Sequence, residues 1–155
     1  MSCSPVTISL PDVNVWLSLV AQGHLHHERA KAWFETQQDA SVAFCRITQM
    51  GLLRLLTNAS VMMGGRKTIS HAWDVVGELS RDRRVIFAGE PAGIEFIWRE
   101  LMTHASVGPS SWTDGYLAAF GRAPSAALVT FDHGFGRWAD LQVTLLSSPA
   151  LPGGI

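Results

Sequence analysis

The chain has 155 residues, a length that suits one domain, and 47% of them are hydrophobic against 16% charged, which excludes a disordered or charge-rich polypeptide. Twelve Lys and Arg stand against 13 Asp and Glu, a formal net charge of -1, so no global positive field draws the chain to nucleic acid or membrane and any polyanion has to be held locally. No apolar run reaches the length of a membrane span, no basic segment precedes Arg29, and Cys3 and Cys45 offer neither a disulfide framework nor a zinc cage, so the expectation is a cytoplasmic protein with inert thiols.

In chain order, Val6–Leu10 is a short β-branched run ending at Pro11, and Val15, Trp16, Leu19 and Val20 then recur at helical spacing. His24–Gln38 reads as a second helix with Ala30, Trp33 and Phe34 on one face, and Ser41–Cys45 as a second strand. Thr48 is the expected cap of a helix running to Leu56, Asn58 its stop, and the Gly-rich stretch Met62–Lys67 a loop. Ser70 is expected to cap the next helix, whose stripe is Ala72, Trp73, Val76 and Leu79, before the basic turn Arg81–Arg84 and the strand Val85–Ala88. Pro91 opens a helix with Ile94, Ile97, Trp98 and Leu101 inward, and after the loop Gly108–Ser111 a helix Trp112–Phe120 stops at Gly121. Ala126–Phe131 reads as a strand buried on both faces, Val143–Leu146 as the last strand, and residues 149–155 as a tail beyond a single domain of residues 1–148. Five strands separated by helices predict an α/β three-layer domain with a parallel sheet covered on both faces.

In such a sheet, ligands bind beyond the carboxyl ends of the strands where strand order reverses. Asp12 follows the first strand and Asp132 the fourth, while Asp114, in the first turn of the helix from Trp112, is expected to face the same edge. Three converging carboxylates repel one another unless a hard cation such as Mg²⁺ or Mn²⁺ neutralises them, and a cation so held activates water against a phosphodiester. Each acid also has a purely structural role open to it: Asp12 as a helix cap, Asp114 in a first turn, Asp132 in an Asx turn into Gly134.

Four segments in order carry a resemblance: Leu10-Pro11-Asp12-Val13-Asn14-Val15-Trp16-Leu17, Arg46-Ile47-Thr48-Gln49-Met50-Gly51-Leu52-Leu53-Arg54, Trp112-Thr113-Asp114 and Leu128-Val129-Thr130-Phe131-Asp132. The chain resembles a PIN domain, specifically a VapC-type toxin, and His26–Ala30, Trp33-Phe34, Thr57-Asn58 and Gly134-Phe135 extend the likeness over nearly its whole length. The resemblance implies a five-stranded parallel sheet, a Mg²⁺- or Mn²⁺-dependent endoribonuclease, a homodimer, and a cognate VapB-like antitoxin that blocks the site. It places the first, third and fourth family acids on Asp12, Asp114 and Asp132 as metal ligands, with Asn14 and Thr130 as the polar residues beside them. Where the family commonly has Glu in the helix after the second strand, this chain has Gln49, which offers an amide oxygen but one charge fewer.

The remaining candidates have weaker claims. His24, His26 and His27 suit an exposed turn as well as a transition-metal site, and His133 a solvated loop as well as a phosphate contact. Arg66, Lys67, Arg81, Arg83 and Arg84 read as solvated charges before a phosphate rim. Trp16, Trp33, Trp73 and Trp98 are expected in the core, with Trp112 and Trp138 left for base stacking. A phosphoacceptor signalling domain also carries strand-end Asp residues, but it needs a Lys after the last strand, and the chain has only Lys31 and Lys67. The nearer alternative is a PIN-like module that binds RNA or a partner and cleaves weakly or not at all, because Gln49 replaces an acid.

Overall fold

A computed structural model describes residues 5–104, 108–123, 125–138 and 140–146; Cys3 and the expected tail lie outside them. The strands β1 (Ile8–Pro11), β2 (Val42–Phe44), β3 (Val85–Phe87), β4 (Ala126–Thr130) and β5 (Val143–Leu145) form one parallel sheet in the order β3-β2-β1-β4-β5. Between them run α1 (Val13–Val20), α2 (His27–Glu35), α3 (Arg46–Leu56), α4 (Ala59–Met62), α5 (Ile69–Arg81), α6 (Ile94–His104) and α7 (Trp112–Gly121). The three-layer expectation holds, and the pleat shows why. Val42 and Phe44 join Trp16, Phe34, Leu52, Leu56 and Val76 in one apolar cluster, while Ala43 between them joins Leu101, Leu117, Phe120 and Leu128 in another. Successive side chains thus feed opposite layers, and Trp16 lies flat on Phe44 with ring centroids 3.8 Å apart.

Several boundaries differ from the sequence expectation. The second helix begins at His27, because His24 is spent in the preceding turn: its Nδ1 accepts from the His26 backbone N–H at 3.1 Å. Thr48 does not itself cap α3; the cap position is Cys45, whose backbone N–H donates to Thr48 Oγ1 at 3.1 Å from the third helical residue. Thr68, not Ser70, caps α5, its hydroxyl accepting from the His71 N–H at 3.2 Å. Asn58 starts a helix as well as ending one, since its Oδ1 accepts from the N–H groups of Ser60 and Val61 to open α4.

Two tryptophans are exchanged: Trp138 is buried, and Trp73, expected inside, is 52% exposed. In the basic turn, Arg84 lies over the Phe34 ring and pairs with Asp82 at 2.8 Å, which holds the Asp82 carboxyl down to about 2, and Arg83 pairs with Asp39. Those cations serve the fold. Among the described residues no helix is long and apolar enough to cross a membrane.

Candidate active site

From β1 the chain adds β2 and β3 on one side and returns to place β4 and β5 on the other, so strand order reverses between β1 and β4. The crevice at their carboxyl ends is the ligand position this topology favours. Asp12 stands there directly after β1, its N–H donating to the Val129 carbonyl of β4 at 2.9 Å. It is buried, one carboxylate oxygen accepting from the Val15 N–H at 3.0 Å and the other from the hydroxyl of Thr130, itself fully buried at the end of β4. The helix cap anticipated for Asp12 is therefore real, yet it occupies one oxygen only. The same holds for Asp132, whose Oδ1 accepts from the Gly134 N–H at 2.7 Å in the Asx turn, while Thr130 Oγ1 accepts from the Asp132 N–H at 3.0 Å. A carboxylate has room for about four hydrogen bonds, so these structural roles leave lone pairs over.

Burial, more than anything else, raises the Asp12 carboxyl above its ordinary range; the Thr130 and Val15 hydrogen bonds oppose this, and Asp114 and Asp132 add to it. Asp114, half-buried in the first turn of α7, is likewise raised by burial, relieved by Arg137 at 3.5 Å and raised again by Asp132. The three acids thus feel one another across the crevice, and Arg137 answers Asp114. Among the described residues, no three His, Cys, Asp or Glu side chains are closed around a common point. As a donor set, three carboxylates, two of them raised by burial, match a hard divalent cation and match soft metals poorly.

A cleft of about 260 Å³ opens beside Asp12 and Asp132, lined also by Asn14, His24, His26 and Phe131. Asn14 is exposed on the first turn of α1, facing that cleft. Gln49 lies half-buried in the first turn of α3, where its amide oxygen accepts from Arg46 Nη1. His133 is exposed at the start of the turn after Asp132. The sequence reading missed two residues here: Arg137, and Phe131, whose ring stacks on His26 at 4.4 Å. Neither stands near its partner in sequence, so no spacing signal pointed to them.

The sequence profile of the PIN domain matches residues 9–141. Ribonuclease VapC41 of Mycobacterium tuberculosis is 39% identical over 143 residues, covering 89% of this chain and 98% of its own. Ribonuclease VapC44 of the same organism is 30% identical over 125 residues, covering 80% and 85%. Among solved structures, VapBC2 of Rickettsia felis bound to a DNA fragment from its promoter superposes with a TM-score of 0.63 at 16% identity, covering 89% of this chain and 98% of that one. The sarcin-ricin loop cleaving toxin VapC20 of Mycobacterium tuberculosis gives 0.62 at 15% identity, covering 86% and 98%, and both share the fold. With its sheet, its strand-end acids and these relatives, the chain belongs to the PIN-domain family, among the VapC-type ribonucleases.

Proposed function

We propose that the protein is a Mg²⁺- or Mn²⁺-dependent endoribonuclease and the toxin of a VapBC-type pair, acting in the cytoplasm. The observation that carries the reading is Asp12: a buried carboxylate at the switch point of the sheet, with its charge opposed by Asp114 and Asp132. Such an arrangement costs stability and is kept where a bound cation makes use of it.

Asp12, Asp114 and Asp132 would hold the cation. When bound, it lowers the pKa of an attacking water and polarises the phosphodiester. Thr130 fixes Asp12 by its hydroxyl and the Asp132 backbone by its oxygen, so one residue sets the spacing of two ligands. Asn14 borders the cleft as a polar contact for the substrate, and Gln49, which the resemblance sets at the remaining acid's position, would offer an oxygen but no charge once released from Arg46. Arg137, already near Asp114, supplies positive charge for a phosphate. The names of the relatives favour cleavage over a module that only binds RNA or a partner, and a VapB-like antitoxin is the partner that the VapBC neighbours suggest.

Purified protein is expected to cleave structured RNA with Mg²⁺ or Mn²⁺ and to stop in EDTA. Asp12→Asn, Asp114→Asn and Asp132→Asn should each lower the rate by at least roughly a hundredfold, since mutation of residues that merely support metal ligands already costs 10- to 100-fold. Cleavage that survives EDTA, or all three substitutions, would remove the reading.

A further inference from the structure

Three histidines, His24, His26 and His27, crowd the turn between α1 and α2, and the structure gives them unequal work. The His24 Nδ1 is 3.1 Å from the Ser18 hydroxyl and accepts from the His26 N–H, and the His27 Nδ1 is 2.8 Å from the Ser18 carbonyl oxygen. Ser18 is itself fully buried on α1, the helix that Asp12 caps, so two imidazoles tie the turn to the element that carries the first acid. His26, between them, makes no ring hydrogen bond among the described residues. Its ring lies against Phe131 at 4.4 Å and 19° and borders the cleft shared by Asp12, Asn14 and Asp132. Phe131 is in turn fixed between Thr130 and Asp132 in sequence. The turn is therefore anchored from both sides, and the one imidazole left without a polar partner is half-buried beside the acids.

We propose that His26 is a substrate-positioning residue, whose ring N–H donates to a non-bridging oxygen of an RNA phosphate at the edge of the acidic cleft, with Phe131 bracing the ring. The inference rests on the reading of the protein as a ribonuclease. Its chemical motive is local: three carboxylates repel a polyanion, so a substrate phosphate approaching Asp12 and Asp132 gains from a donor in the same cleft, and of the donors that line it, Asn14, His24 and His26, only His24 is already tied by its ring into the turn. A hydrogen bond to a charged group is worth roughly a tenfold change in affinity.

The test uses the full chain with Mn²⁺ and compares His26→Ala, His26→Phe and His26→Gln. His26→Phe keeps a ring against Phe131 and removes the donor; His26→Gln keeps an N–H and removes the ring. Cleavage of an RNA oligonucleotide is expected to lose roughly tenfold in kcat/KM, carried mainly by KM, in both His26→Ala and His26→Phe, with part of the loss recovered in His26→Gln. Calorimetric Mn²⁺ affinity should be unchanged in all three. Fluorescence anisotropy of a fluorescein-labelled RNA oligonucleotide, measured in an Asp114→Asn background, should show the same order of binding without turnover. Wild-type behaviour of His26→Phe or His26→Ala would overturn the proposal, as would His26→Gln no better than His26→Phe, or a weakened Mn²⁺ affinity, which would make His26 a ligand instead. If the wild-type protein cleaves no RNA, the ribonuclease reading fails, and the anisotropy series still decides whether His26 holds a phosphate.

Discussion

Asp12 shows how one side chain serves folding and chemistry together. Its cap to Val15 and its bond from Thr130 anchor it, and its burial works against its own charge. For a carboxyl raised in the folded chain, the protonated form is the one folding favours; stability falls as pH rises from the unfolded value through the folded one, and at neutral pH the ionised group opposes folding. Asp114 is raised by the same cause and accepts no capping hydrogen bond among the described residues. Metal-free Asp114→Asn is therefore expected to melt at the wild-type temperature or roughly 1–3 °C above it, measured by calorimetry at pH 7, while losing cleavage. A fall of several degrees would mean that the Arg137 pair outweighs the repulsion.

At the scale of elements, the sequence announced where helices lie better than how they begin. The stripe Ala72 and Val76 marked α5, but Thr68 and Ser70 are both hydroxyl residues two positions apart, and only the backbone direction decides which one meets an unpaired N–H. Thr68→Ala is expected to cost about 1 kcal/mol in a denaturant titration and Ser70→Ala a few tenths, whereas equal losses would contradict the assignment. The positions of Asp12 and Asp132 at the sheet's carboxyl edge were legible because they follow strands in the chain, and that of Asp114 because it lies in the first turn of a helix. The pairing of His26 with Phe131, 105 residues apart, was not: it exists only once β4 lies beside β1. Trp138 was misjudged for a related reason, since a tryptophan in a turn gives no periodic sign that the turn folds inward.

At the scale of the molecule, the parallel order of the sheet was implied by alternating strands and helices, while the shape of the outer surface was not. On α3, Leu52 and Leu56 leave no apolar surface for self-association, since both are fully buried in the core. Among the exposed apolar groups, Met50, Phe87 and Trp112 flank Arg46, which lies over the Phe87 ring, and Phe96 is 75% exposed on α6. A homodimer remains the proposal, and light scattering at high micromolar concentration should give twice the chain mass, with Trp112→Asp shifting it toward the monomer. A single-chain mass for the wild type would contradict it.

The central claim is that Asp12, Asp114 and Asp132 act as one cation site. Isothermal titration with Mn²⁺ tests it without reference to any RNA. The wild-type chain is expected to bind, each Asp→Asn substitution to weaken binding by at least tenfold, and Gln49→Glu to tighten it, because affinity for a hard cation grows with ligand charge. Equal Mn²⁺ affinity in the wild type and all three Asp→Asn variants would show that these carboxylates hold no common ion.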